Sequence, residues 1–132
     1  MIGLDSNVLL RILVKDDPEQ FRVATQVISA LSREQPGYIN LVVLAEVCWT
    51  LTRRYKAAPA RLISVARALV ESETIVVQDR DRVRRAIDLA ERHGCGLIDA
   101  LIGTINAEDG CEQTLSFDRG ALNIAGFQLL NH

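Results

Sequence analysis

Apolar residues along this chain follow two alternating patterns: short continuous runs, and longer segments in which they recur every three or four positions. The short runs predict buried strands, and the longer segments predict amphipathic helices. Helices are predicted to fill the connections between successive strands. The predicted strands are Ile2–Leu4, Tyr38–Ile39, Thr74–Val77, Thr114–Phe117 and Phe127–Leu130.

Residues with strong positional preferences mark the ends of the predicted helices. Asp16-Asp17-Pro18 ends the first helix and begins the second, which predicts a helical hairpin. Asn40 is a candidate cap for the third helix, and Pro59 begins the fourth. Gly94 ends a basic fifth helix, and a sixth runs from about residue 98 to 108.

The alternation of strands and helices predicts an α/β fold, in which a short parallel sheet of about five strands is covered by helices on both faces. The 132 residues, 48% hydrophobic and 24% charged, fit one globular domain over residues 1–132. No apolar stretch approaches the roughly 20 residues that span a bilayer, and the N-terminus lacks the pattern of a signal peptide. We therefore expect a cytoplasmic protein.

Four carboxylates stand inside or at the end of apolar segments. They are Asp5 in MIGLD, Glu46 in LVVLAEVCW, Asp99 in GLIDALI and Asp118 in LSFD. Burying an unpaired carboxylate is costly, so four of them predict convergence on a positive charge. A divalent metal ion is the simplest candidate.

The predicted sheet indicates where such a metal would lie. Asp5 and Asp118 directly follow strands, and ligands bind beyond the carboxyl ends of parallel strands. Glu46 and Asp99 lie on predicted helices that can bring their side chains to the same edge. Ligands that are all oxygen favour Mg²⁺ or Mn²⁺, and such a metal activates water for hydrolysis of a phosphodiester.

Each acid also has an ordinary structural explanation. Asp5 and Asp118 can be helix caps, and Asp99 can be an acid in a first helical turn, where the helix dipole favours it. Glu46 can be the buried partner of an arginine in its own helix. These explanations do not account for the placement of all four acids in apolar sequence.

The four blocks together resemble the signature of the PIN domain. The blocks are Asp5-Ser6-Asn7-Val8-Leu9-Leu10, Glu46 in the third helix, Asp99-Ala100-Leu101-Ile102 and Ser116-Phe117-Asp118-Arg119. More narrowly, the chain resembles the VapC-type ribonuclease toxins of type II toxin–antitoxin pairs. The resemblance covers nearly the whole chain and implies a three-layer α/β/α domain.

The resemblance implies a Mg²⁺- or Mn²⁺-dependent endoribonuclease that hydrolyses RNA. Asp5, Asp99 and Asp118 would bind the metal directly or through water. Glu46 would complete the acidic pocket as a ligand or as the base that positions the attacking water.

The resemblance also implies that two polar residues support these acids. Asn7 and Ser116 match family positions that hold the acidic side chains by hydrogen bonds. Ser6 stands where many relatives have Thr, a change that leaves the site intact.

The resemblance also implies two protein partners. One is a second copy of the chain in a homodimer, and the other is a small antitoxin whose tail lies across the active-site groove. Apolar residues of the first helices, such as Leu9, Leu13 and Phe21, are candidates for that groove, although core packing explains most of them equally well.

The charge of the chain permits RNA as a substrate. The formal net charge is −2, and without the four segment acids the remainder carries 13 acids against 15 bases. Arg11, Arg84, Arg85 and Arg119 are candidate phosphate contacts. For the arginines between residues 80 and 85, pairing with the acids at positions 79, 81 and 88 is an equally good explanation.

The few cysteines and aromatic residues predict packing rather than chemistry. Three cysteines without C-x-x-C spacing are expected to be reduced core residues. Tyr38 and Trp49 are expected in the core or at an interface, because aromatic residues make up only 5% of the chain.

Two other functions fit parts of the pattern. A non-catalytic PIN-like scaffold would bind RNA or a protein, but has no need for four clustered acids. A phosphotransfer or receiver domain would use an aspartyl nucleophile, but Asn7 stands where the Asp-x-Asp-x-Thr arrangement of one phosphatase group requires an acid.

Overall fold

Six α-helices and five short strands lie in the described part of the chain, in the order that the apolar pattern predicts. The structure is a computed structural model that describes residues 1–124 and 126–130, apart from the side chains of residues 122 and 123. The helices are α1 (Ser6–Val14), α2 (Pro18–Ser29), α3 (Leu41–Tyr55), α4 (Pro59–Glu71), α5 (Arg80–His93) and α6 (Leu97–Glu108). The strands are β1 (Ile2–Gly3), β2 (Gly37–Ile39), β3 (Ile75–Val77), β4 (Thr114–Ser116) and β5 (Phe127–Leu129). A 3₁₀ helix at Arg119–Asn123 connects β4 to β5. Within the described ranges, no helix is long and apolar enough to cross a membrane.

Local hydrogen bonds explain where several helices begin and end. The Asn40 side chain accepts from the backbone N–H of Val43 at 2.9 Å, which confirms the predicted cap of α3. Asp17 accepts in the same way from the N–H of Gln20 at 3.1 Å, at the start of α2. Gly94 ends α5 with a φ of +67°, a conformation that glycine adopts without the cost a side chain would add.

The strands form two parallel sheets instead of one. In the first sheet β2 lies between β1 and β3, and in the second β4 pairs with β5. All five predicted strands are present. The prediction that they form one continuous sheet is wrong. The strand β1 contains two residues before α1 begins, so it offers few backbone groups for pairing on a second side.

The two faces of the three-stranded sheet differ in burial. Leu4, Ile39 and Val77 are buried on the inner face. On the other face, Gly3 and Val76 are exposed and Tyr38 between them is half-buried. Helices therefore cover one face of this sheet well and the other only in part, which corrects the expectation of full cover on both.

The hydrophobic core lies between the buried sheet face and the helices. Its largest fully buried side chains come from β2, α3 and α5, and include Ile39, Leu44, Val47, Val83 and Ile87. Two of the cysteines belong to it as predicted, and burial raises the pKa of the Cys48 thiol to about 11. The prediction is wrong for Cys111, which is exposed.

Arginine side chains join α5 to the end of α6. Arg85 donates two hydrogen bonds to Glu108, at 2.6 and 2.7 Å, and Arg82 donates to Asp109 at 2.5 Å. The acids predicted to pair with these arginines belong to α5 and its cap. The prediction is therefore wrong about which acids the arginines bind. The pairing side chains come from different helices, which spacing within one helix does not reveal.

These ion pairs predict how the fold responds to acid. Hydrogen bonding by Arg85 lowers the pKa of Glu108 below its ordinary value of 4.5. The stability that this carboxylate contributes is therefore present above pH 4.5 and lost as the pH falls through the lowered pKa. We expect Glu108→Gln to unfold at lower urea concentration than the natural chain at pH 7, with the difference shrinking towards pH 3.5.

The matched control for this measurement is Glu112→Gln, because Glu112 is exposed and forms no ion pair among the residues that the structure describes. Its urea midpoint is expected to stay close to that of the natural chain at both pH values. A Glu108→Gln deficit of equal size at pH 7 and pH 3.5 would contradict the assignment.

Candidate metal and RNA site

Asp5 lies at the turn from β1 into α1. Its backbone is extended, with φ −82° and ψ 160°, and it precedes the first helical residue. Its side chain makes no capping hydrogen bond and is exposed. The Asp5 side chain therefore does not cap α1, and the explanation of this acid as a helix cap is wrong. Its carboxylate is available to a ligand.

A long hydrogen bond connects the start of α1 to the middle of α3. The Ser6 hydroxyl, which is buried, donates to a carboxylate oxygen of Glu46 at 3.5 Å. Glu46 is exposed and forms no ion pair with an arginine among the described side chains, so its explanation as a buried arginine partner is wrong. The contact places Glu46 beside the turn that carries Asp5.

Two of the four acids, Asp99 and Asp118, form a pair. Asp99 lies in the first turn of α6, as predicted, and is half-buried. Partial burial raises the pKa of its carboxyl group, and the charge of Asp118 raises it further. The charge of Asp118 thus acts on Asp99, which places the two residues near each other although they are 19 positions apart in the chain.

Asp118 is held by its own loop. One carboxylate oxygen accepts from the N–H of Gly120 at 2.8 Å, so Asp118 is indeed a helix cap. The Ser116 hydroxyl accepts from the backbone N–H of Asp118 at 2.9 Å. Ser116 thus fixes the backbone of the acid, whereas the resemblance implied a bond to its side chain.

Asn7 has a different setting from the one that the resemblance implied. It is exposed on the first turn of α1, and none of the hydrogen bonds described involves its side chain. Ser6 makes the contact to an acid instead. The sequence indicates that a polar side chain near Asp5 supports an acid, but which of two neighbouring side chains turns inward depends on the rotation of α1.

The four acids are more exposed than their apolar surroundings suggested. Asp5, Glu46 and Asp118 are exposed, and only Asp99 is half-buried. The cost of burial therefore does not explain their placement. The stronger observation is electrostatic, because none of the four forms an ion pair with a basic side chain in the described parts of the chain.

The donor atoms suit a hard divalent cation, but their arrangement is open. All four side chains offer carboxylate oxygens, which Mg²⁺ and Mn²⁺ prefer. Over residues 1–124 and 126–130, no three His, Cys, Asp or Glu side chains are grouped closely enough to hold a metal ion. Asp99 and Asp118 interact electrostatically, and a cation between them would relieve their repulsion.

A groove between α3 and α6 has Asp99 in its lining. We call it the α3–α6 groove; it has a volume of about 380 Å³. Its lining includes Cys48, Trp49, Thr52, Ile98, Asp99 and Ile102. Trp49 lies three residues after Glu46, one turn along the same helix. Of the two predicted settings for Trp49, the core is excluded, because 53% of the residue is exposed.

Arg11 is engaged by other residues of the fold. Its guanidinium donates to Asp16 at 3.0 Å, and Asp16 accepts from the hydroxyl of Tyr55 at 2.9 Å. The hydrogen bond from Tyr55 is the main cause that lowers the pKa of Asp16. A phosphate contact by Arg11 therefore has to compete with this network.

The other candidate RNA contacts divide between paired and open positions. Arg85 is paired with Glu108, and Arg84 donates to the carbonyl of Val70 at 3.4 Å. Arg119 is exposed and directly follows Asp118. Of these three arginines, Arg119 is the best placed to contact a phosphate beside the acids.

A second groove lies between α1 and α2 and has a volume of about 570 Å³. We call it the α1–α2 groove; its lining includes Asn7, Val8, Arg11, Val23 and Val27. Leu9 belongs to the core, at 4% exposed, and does not line this groove. Val8, its neighbour in sequence, does.

The sequence as a whole matches the family model of the PIN domain over residues 2–126. This chain belongs to the PIN domain family. No curated protein matches it closely enough to indicate a relative. PIN domains are typically nucleases that depend on divalent metal ions, and four carboxylates that form no ion pair among the described residues agree with that chemistry. The predicted α/β fold and the resemblance to the PIN domain are confirmed.

Proposed function

We propose that this PIN domain is a Mg²⁺- or Mn²⁺-dependent endoribonuclease that hydrolyses RNA phosphodiester bonds. The main support is that Asp5, Glu46, Asp99 and Asp118 form no ion pair with a basic side chain among the described residues, while the charge of Asp118 helps to raise the pKa of Asp99. Like charges held together cost stability, and a cation offsets that cost. Membership of the PIN family supports the same activity.

The side chains have distinct parts in this proposal. Asp99, Asp118 and Asp5 would hold the metal, directly or through water, and the metal would supply an activated water and neutralise charge on the scissile phosphate. Glu46, beside the Ser6 hydroxyl, orients the attacking water and accepts its proton. Arg119 contacts the phosphate next to the acids.

Hydrolysis of RNA by the purified chain tests this activity. We expect single-stranded RNA to be cut internally in about 5 mM Mg²⁺ or Mn²⁺. In excess EDTA the RNA should stay intact. Restoring the metal should restore cleavage. Internal cleavage that persists in EDTA would contradict the proposal.

We further propose that the protein is the toxin of a type II pair, acts in the cytoplasm as a homodimer and binds a small antitoxin. The exposed valines of the α1–α2 groove, Val23 and Val27, support a protein partner on that side. We expect an adjacent small reading frame that encodes a DNA-binding protein. We also expect growth arrest when the chain is expressed alone. Normal growth with active nuclease present would contradict the toxin role.

A scaffold that binds RNA or protein without cleaving it is the second candidate. The open arrangement of the acids favours it, because no three of the described metal-binding side chains form a group. Binding of RNA without cleavage in any divalent metal would establish this function instead.

A further inference from the structure

Trp49 lies where an aromatic ring can contact a substrate. It is 53% exposed and lines the α3–α6 groove together with Asp99. A tryptophan on a helix otherwise well packed into the core is costly to expose, and its ring offers a large flat surface. The groove volume of about 380 Å³ falls within the range of about 300 to 1,000 Å³ that is usual for ligand pockets.

The residues before and after Trp49 continue the same exposed side of α3. Glu46, Trp49 and Arg53 are separated by three and four positions and therefore succeed one another along one side of the helix. All three are exposed. An acid of the proposed site is thus followed by an aromatic ring and then by a cation, about one helical turn apart.

Arg53 completes the arrangement. Its guanidinium lies over the Trp49 ring, 5.9 Å from the centroid, and forms no ion pair with any acid in the part of the chain that the structure describes. A cation over one side of the ring and an open groove beside it suit a ligand that carries both a planar ring and a negative charge. A nucleotide has both.

We propose that Trp49 stacks on an unpaired base of single-stranded RNA next to the phosphate held at the acids, and that Arg53 contacts the following phosphate. This inference rests on the proposed ribonuclease function and adds to it a subsite that selects single-stranded over paired RNA. A base within a duplex has both faces covered by its neighbours and cannot stack on the ring.

The chain offers a direct probe, because Trp49 is its only tryptophan. Its fluorescence is measured in EDTA at low salt while a 12-nucleotide single-stranded RNA is added, so that no cleavage occurs. We expect saturable quenching by this RNA and none by an abasic 12-mer of the same backbone. If the abasic 12-mer binds and quenches the fluorescence as strongly as the RNA with bases, the inference is overturned.

Substitutions give the second measurement, with binding followed by fluorescence anisotropy of labelled RNA. Trp49→Ala is expected to weaken binding of the 12-mer about 5- to 150-fold, the loss of one stacked base. Trp49→Phe should retain most of the affinity, and the abasic 12-mer should bind all variants alike. The matched control is Val42→Ala, an exposed apolar residue on the same side of α3.

The outcomes separate this inference from the proposed function. RNA that is cleaved in Mg²⁺ but bound equally by the natural chain and Trp49→Ala overturns the base subsite alone. RNA that is neither bound nor cleaved overturns the ribonuclease function and the subsite with it. Unchanged RNA affinity with loss of a dimer in Trp49→Ala, seen by gel filtration, assigns the ring to a protein interface and also overturns the inference.

Discussion

Replacing either Asp99 or Asp118 by Asn is expected to remove metal-dependent RNA cleavage and leave the fold intact. Each carboxylate is one half of the pair whose repulsion a cation relieves. A bound metal contributes several kcal/mol to such a reaction, and each 1.4 kcal/mol is a factor of ten in rate. We therefore expect kcat/KM to fall about 10²- to 10³-fold for either variant, measured with saturating Mg²⁺.

The double variant distinguishes a shared site from two independent effects. If Asp99 and Asp118 hold the same ion, the second substitution adds little to the first, because the ion is already lost. Glu71→Gln, at an exposed acid in the last turn of α4, is the matched control and should cleave at the natural rate. Full activity in both single variants would exclude these acids from the reaction.

The largest effect on stability is expected at Ile87. This side chain of α5 is fully buried within the core, so Ile87→Ala leaves a cavity. Such truncations cost about 2 to 5 kcal/mol, and the free energy of unfolding from urea titration should fall by that amount. The measurement is made without metal, so that ligand binding does not add to stability.

Val76→Ala serves as the control for this prediction. Val76 is 38% exposed on the less covered face of the three-stranded sheet, so truncation there removes fewer contacts. We expect a loss below about 1 kcal/mol, as is usual for exposed positions. Equal losses at the two positions would contradict the placement of the core.

The order of the elements could be predicted from the sequence because local signals agree with one another. The Asn40 cap and the glycine at position 94 both mark helix ends through contacts with residues nearby in sequence. Pairing between strands is a different matter. Whether β1 joins β4 depends on positions far apart in the chain, and the pattern of apolar residues carries no information about it.

The acids of the proposed site could be named from the sequence, whereas their surroundings could not. Asp5 and Asp118 could be placed because each follows a strand, and the carboxyl ends of parallel strands are a known location for ligands. The contact of Ser6 with Glu46 spans 40 positions and depends on how α1 packs against α3. No local pattern predicts such a contact.

Whether Trp49 lies in the core or at the surface could not be decided from the sequence for a related reason. Nearly every residue of α3 between Leu41 and Trp49 is apolar, so the sequence does not show which side of the helix faces solvent. In the folded chain Val42 and Trp49 are exposed while Val43 and Val47 are buried. The orientation of this helix places an aromatic ring, and not only an acid, beside the proposed site.

Binding of Mn²⁺ tests most directly the claim that the acids form a metal site. Calorimetric titration at pH 7 compares the natural chain with the variant that carries both Asp99→Asn and Asp118→Asn. We expect saturable binding by the natural chain and affinity reduced at least about 10-fold in the variant, because the paired carboxylates hold the ion. Equal affinity in the two proteins would contradict the account.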